Sequence, residues 1–240
     1  MIGLLLRAYA LAERSGALRW GPLEWLFVRS YFAYKRVFED SFAKLVRERP
    51  EIFRGGHVVD VGANVGYTAR VFARALEAPY RVYAFEPDAE NFRRLTRFAK
   101  DDRIVPMRSA VGEREGEIAL WHNDAHPGDH RVAAGEVVTY AGKRETVPMT
   151  TIDAFAQTLD HPIRFIKIDV QGYEPAVLRG MRATLEGDVV VAVEYAPAHI
   201  RALGFDPEEV FEHLRGFQIE RLGDESRGYV DLLCVKTGAR

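Results

Sequence analysis

Cysteine is nearly absent from these 240 residues: Cys234 stands alone. No intrachain disulfide and no cysteine-rich zinc site can be built from one thiol. That suits a reducing compartment, and a cytoplasmic protein is the expectation. Long apolar runs are missing too, since nothing approaches the roughly 20 apolar residues of a membrane-spanning helix. The opening Met1-Ile-Gly-Leu-Leu-Leu-Arg7 is too short for a secretory core, is interrupted by Arg7, and precedes no small-residue cleavage site. Charge of one sign is scarce: 33 Lys and Arg meet 35 Asp and Glu, a net charge of −2. Nucleic-acid binding usually shows as a basic excess, so no nucleic-acid partner is expected. Repeats and low-complexity tracts are also lacking. What the composition does supply is 48% hydrophobic residues, enough for one sizeable α/β core.

Residues 1–52 differ from the rest and read as an N-terminal helical cap on a main domain of residues 53–240. Gly21-Pro22 looks like a helix start. Leu23, Leu26, Phe27, Tyr31, Tyr34, Phe38, Phe42 and Leu45 then recur at intervals of three or four up to Pro50. Basic residues fill the gaps, so the alternative is a basic amphipathic helix on a membrane surface or beside an acceptor pocket.

From His57 onward strands and helices alternate, which predicts a mostly parallel sheet with helices on both faces. Strands are expected at 57–61, 81–86, 103–108, 117–121, 164–169, 189–195, 217–222 and 231–236. Helices fit 66–77, 88–100, 174–186 and 207–215. Val58–Val61, Phe165–Ile168 and Val189–Val193 are almost wholly apolar, as central strands are. Only Gly223 to Val230 separates the last two strands, too few residues for a crossover, so they should form an antiparallel hairpin. The segment from His122 to Val147 is the least regular and reads as a binding loop. Its His122, Asp124, His126, Asp129 and His130 match no zinc spacing. His122 is a candidate general base.

The chemistry concentrates at strand ends. His57-Val-Val-Asp-Val-Gly-Ala-Asn-Val-Gly66 places Asp60 just ahead of a glycine turn made of Gly62, Ala63, Asn64 and Gly66, with Thr68 in the helix beyond. Arg81-Val-Tyr-Ala-Phe-Glu-Pro-Asp88 ends the next strand with Glu86 and Pro87, and Glu86 lies 20 residues past Gly66. A carboxylate at about that distance from a strand-to-helix turn is where a βαβ unit binds a ribose diol. The glycines do not spell G-x-G-x-x-G, and Asp60 would repel a pyrophosphate. A cofactor with a ribose, no phosphate and positive charge fits better, and S-adenosylmethionine is such a molecule. A nicotinamide-dependent dehydrogenase is the competing reading, and an inactive binding protein of the same fold is another.

Downstream runs Arg164-Phe-Ile-Lys-Ile-Asp-Val-Gln-Gly-Tyr-Glu-Pro-Ala-Val-Leu-Arg-Gly-Met181. It resembles the signature of FkbM-type methyltransferases through Lys167, Ile168, Asp169, Val170, Gly172, Glu174, Val177, Leu178 and Gly180. Gln171 stands where that family most often has glutamate. The Val-Asp-Val-Gly-Ala-Asn-x-Gly and Phe-Glu-Pro segments and Thr150-Thr-Ile-Asp153 match as well, so the likeness covers about residues 55–200. It implies a class I methyltransferase fold: a Rossmann-like, mostly parallel seven-stranded sheet with a C-terminal antiparallel hairpin. It also implies S-adenosylmethionine as donor, O-methylation of a small hydroxylated acceptor such as a sugar or polyketide, and Ser109 and Ala110 near the adenine. In that sheet order Asp169 and Glu194, of Val189-Val-Val-Ala-Val-Glu-Tyr195, stand on adjacent strands about 5 Å apart. Three readings of the pair stay open: a Mg²⁺ site, a general base, or a structural pair neutralised by Lys167. Homo-oligomerisation is left open too.

Overall fold

The structure is a computed structural model that describes residues 21–38, 41–121, 131–132, 144–223 and 228–237. His122, with the rest of 122–130 and 133–143, lies outside the described residues.

The apolar runs become the middle of one sheet. β1 (His57–Val61) is buried along its whole length. It pairs in parallel with β2 (Val82–Phe85) on one side and β8 (Ile163–Ile168) on the other. The chain returns through α3 (Tyr67–Ala73) between β1 and β2, and through α4 (Ala89–Phe98) before β3 (Ile104–Met107). β9 (Val190–Tyr195) flanks β8 in parallel, and β11 (Val230–Lys236) joins β9 antiparallel, with β10 (Phe217–Leu222) outermost. The seven-strand order is β10-β11-β9-β8-β1-β2-β3. β10 and β11 pair antiparallel as the short connection requires. Strand order reverses between β1 and β8, and ligands of open α/β sheets bind outside the carboxyl ends at such a switch point.

Alternation along the strands sends side chains to two apolar layers. Val59, Val61, Ile166 and Ile168 enter one cluster, with Tyr173, Met181 and Ile200. Val58 and Phe165 enter the other, with Phe53, Phe72 and Leu95. The N-terminal helices α1 (Gly21–Phe38) and α2 (Ser41–Glu48) are two elements, where the spacing suggested one run to Pro50. Phe42 and Leu45 of α2 join the second cluster, and Phe42 meets Phe72 edge-on at 5.5 Å. α1 is pinned differently. Its buried Glu24 reaches Arg93, Arg94 and Arg97 of α4, with Arg97 Nη1 at 2.7 Å.

Two expectations need correction. The helix expected over 174–186 is broken into α6 (Glu174–Arg179) and α7 (Arg182–Glu186). At the break, a Cβ on Gly180 would stand 2.0 Å from the Gly112 carbonyl oxygen, so this backbone contact leaves no room for a side chain. The strand expected at 117–121 belongs to a second sheet, not the main one. That sheet has the order β4-β7-β5-β6, from β4 (Ala110–Val111), β5 (Gly116–Trp121), β6 (Arg131–Val132) and β7 (Arg144–Thr150). β7 starts inside the segment that reads as irregular, because Gly, His and Pro nearby mask its alternation. Two short helices, α5 (Ile152–Ala156) and α8 (Pro197–Ala202), carry too few residues to show a period; α9 (Glu208–His213) falls where expected. The Thr-Thr-Ile-Asp motif serves this packing. Thr151 caps α5 by accepting the Ala154 N–H, and Asp153 accepts the N–H groups of Ala183 and Thr184 at the start of α7.

Candidate active site

Asp60 and Lys167 are register partners on β1 and β8 and therefore share a sheet face. Asp60 has no exposed surface. Its Oδ2 accepts the Thr68 hydroxyl at 2.6 Å, and Lys167 Nζ stands 3.4 Å from Oδ1 without completing a hydrogen bond. Burial raises the Asp60 carboxyl above its ordinary range, against the pull of Lys167 and Thr68. Lys167 also reaches Asp169 Oδ2 at 3.1 Å and donates to the Gly62 carbonyl at 3.1 Å. Burial works against the ammonium, but Asp169 and Asp60 outweigh it and hold the Lys167 pKa above its usual value. The lysine is thus the hub that joins the first turn to the end of β8.

That turn needs glycine at Gly62. Its φ of +77° is left-handed, and a Cβ there would sit 1.8 Å from the Asp169 carbonyl oxygen. Asn64 is also left-handed, with φ of 52°, and its N–H donates to Glu86 Oε2 at 2.8 Å. Glu86 Oε1 accepts the Asp88 N–H at 2.9 Å, while Asp88 caps α4 through the N–H groups of Glu90 and Asn91. Burial, then the Asp88 charge, pushes the Glu86 carboxyl up to about 8. A carboxylate has about four acceptor positions, and these two amides leave about half of them for ligand hydroxyls. The β1 turn, Glu86 and partly exposed Pro87 therefore fit a ribose-bearing cofactor. Ser109 is held by bonds from its hydroxyl to the carbonyls of Ala110 and Pro148, where the two sheets join.

Asp169 follows β8 and keeps 30% of its side chain exposed, unlike Asp60. Burial would raise its pKa, but the Lys167 charge prevails and holds it below the ordinary carboxylate range, helped by Lys35 of α1 and by Gln171. β9 lies beside β8, as the apolar pattern of both strands implies, and carries Glu194 at its end. Gln171 Nε2 donates to Asp169 Oδ1 at 3.0 Å and to Glu194 Oε2 at 3.3 Å. The low-charge link between the two acids is therefore an amide. The Mg²⁺ reading finds no support in this arrangement: a cation would have to displace the Lys167 ammonium from beside Asp169. Among the described residues no three His, Cys, Asp or Glu side chains group as metal ligands.

Burial and the Asp169 charge raise Glu194 well above the usual range. Asp231 pairs opposite Glu194 across β11 and β9, accepts the Ser41 hydroxyl of α2 at 3.4 Å, and is pushed up to about 6 by burial and by Asp169.

Three participants escape a reading of the sequence by itself. Asp231 is brought in by antiparallel register, which no motif marks. Gln171 reads as a lost anion although its amide has two acceptors to serve. Glu174 reads as an ordinary helix start, yet its Oε1 accepts the N–H groups of Val170 and Gly172 and fixes the turn on which Gln171 sits with φ of 58°. The signal for Glu174 lay in its place within the signature, three residues after Gln171.

The parallel sheet, its switch point and the carboxylates at the ends of β1, β2 and β8 define a class I methyltransferase domain, one built for S-adenosylmethionine. The chain belongs to the FkbM methyltransferase family, whose domain model matches residues 60–230. That membership sets aside the nicotinamide alternative. A curated relative, the hexuronic acid methyltransferase AglP of Haloferax volcanii, is 30% identical over 157 residues. The match covers 63% of this chain and 58% of AglP, so the chain spans less than two thirds of that relative's length. An O-methyltransferase from Bacillus cereus, solved in complex with SAH, superposes with a TM-score of 0.50 at 13% identity, covering 87% of this chain and 89% of that one. The FkbM methyltransferase of Methylobacillus flagellatus superposes at 0.49, with 20% identity over 80% of this chain and 47% of that one.

Proposed function

We propose that this chain methylates a hydroxyl group on a small, polyhydroxylated acceptor of the sugar-acid class. Asp60, Gly62, Ala63, Asn64, Gly66, Thr68, Glu86, Pro87, Ser109, Ala110 and Asp169 would hold S-adenosylmethionine, with Glu86 on the ribose hydroxyls. When bound, that cofactor supplies an electrophilic methyl carbon for in-line attack by an acceptor oxygen. The protein's share is positioning, which lowers the entropic barrier, and removal of the hydroxyl proton.

The observation that carries this reading is the contrast between two acids joined by Gln171. Asp169, held ionised by Lys167, is suited to a cationic cofactor. Glu194, raised well above the usual range by burial and the Asp169 charge, holds a proton more strongly than an ordinary carboxylate and would, in its ionised form, take the acceptor's. The hexuronic acid relative supports a uronic-acid acceptor, and no step needs a metal.

The test pairs calorimetry with a labelled-methyl screen. S-adenosylhomocysteine should bind, and Glu86→Ala should weaken it about tenfold, since leaving a buried ribose hydroxyl without its hydrogen-bond partner costs about 1–3 kcal/mol. A panel of hexuronic acids and their glycosides, incubated with labelled donor, should yield a base-stable methyl ether. Label recovered as a base-labile ester or on nitrogen would refute O-methylation at a hydroxyl.

A further inference from the structure

The outer side of α1 has no part in the site. At 100° per residue, Pro22, Leu23, Trp25, Leu26, Arg29, Ala33 and Arg36 fall on one arc of the helix. Leu23, Trp25 and Leu26 are 39%, 50% and 56% exposed, and the Arg29 guanidinium lies 4.7 Å from the centre of the Trp25 ring. The only acid of this helix, Glu24, is turned inward onto the α4 arginines. The face is thus apolar and cationic with no anion of its own. It continues past Arg36 into a groove of about 570 Å³ lined by Lys44 and Arg47 of α2 and by Val71 and Arg74. Among the described residues, five basic side chains meet one nearby acid, Glu48, which pairs with Arg47 at 3.4 Å and Lys44 at 4.0 Å; Glu39 and Asp40, between the two helices, lie outside the described residues. The whole chain is net −2, so this patch runs against the charge of the molecule.

We infer that this face docks on an anionic phospholipid surface. Charge complementarity selects the occupant: Trp and Leu supply insertion at the headgroup boundary, and the arginines supply attraction to negative lipid. A nucleic acid would use the cations and leave the two leucines in water. The inner side of the same helix borders the site, since Phe32 packs on Tyr67 at the start of α3 and the Lys35 charge acts on Asp169. Docking would therefore bring the strand ends to within about one helix diameter, 10–12 Å, of the lipid. The inference does not depend on the acceptor, because binding is read without methyl transfer.

The experiment is co-sedimentation of the full chain with vesicles of phosphatidylcholine alone and with about 30% phosphatidylglycerol. Binding should require the anionic lipid and fall steeply as salt rises. Arg29→Glu with Arg36→Glu should reduce it by at least twenty-fold, given about five-fold per basic residue. Trp25→Ala with Leu26→Ala should abolish it, with far-ultraviolet circular dichroism and melting unchanged because these side chains are exposed. Equal sedimentation of wild type and both variants, or no binding to anionic vesicles, overturns the inference. So does a wild-type dimer that the Trp25/Leu26 variant converts to monomer with vesicle binding unaltered, which assigns the face to a second copy of the chain.

Discussion

Lys167 carries more of the site than any carboxylate, because it alone neutralises both Asp60 and Asp169 in a place with little water. Lys167→Met should leave two buried or half-buried acids facing one another, and should destabilise the fold by about 3–5 kcal/mol; a denaturant midpoint within error of wild type would contradict that. Asp169→Asn keeps the shape and removes the charge. Binding of S-adenosylmethionine should weaken at least about tenfold, as the loss of a charge-assisted contact implies, while melting stays near wild type, whereas a purely structural acid would show the reverse. Glu86 offers a pH test. Its folded-state value of about 8 lies above its ordinary 4.5, so the neutral form is the one the fold prefers. The associated stability is fully present below about pH 4.5 and is lost as pH rises through 8. Wild-type melting should therefore decline between pH 5 and 9 relative to Glu86→Gln, and parallel curves would show that Glu86 does not titrate there.

The elements that hold these side chains differ in how plainly the sequence announces them. β1, β8 and β9 are runs of β-branched residues long enough to be unmistakable, and their burial on both faces follows. Asp60 and Asp169 were legible as strand-end acids for the same reason, and Glu86 through its distance from the Gly66 turn. The second sheet was not, since β4 has two residues and β7 includes Pro148, which has no N–H to give a strand ladder and so argues against a strand. The break after α6 was hidden as well, because Gly180 in a helical pattern looks like a tolerated glycine until the Gly112 backbone is placed against it. Gly62→Ala tests the more demanding of these contacts. The methyl group would need both a left-handed backbone and a displaced Asp169 carbonyl, costing at least about 2 kcal/mol. Cofactor affinity should drop with it, and a variant as stable and as tight-binding as wild type would mean the turn relaxes freely.

Across the whole molecule the N-terminal helices and the sheet are tied by two unlike means, apolar packing under α2 and an arginine clamp on α1. No helix among the described residues is long and apolar enough to cross a membrane. Glu24→Gln should loosen α1 first: amide exchange across residues 21–38 should quicken while β1 and β8 remain protected. The lone cysteine has a separate use. Cys234 lies on β11 between β10 and β9, fully buried, with its thiol pushed up to about 12 by burial. A thiol-modifying reagent can reach it only when that part of the sheet opens, so alkylation keeps time for native-state opening. Any ligand that binds the closed form should slow that clock by a factor of one plus its concentration over Kd. The chain therefore contains its own reporter of cofactor and acceptor binding, one that runs without a known acceptor and without any introduced label.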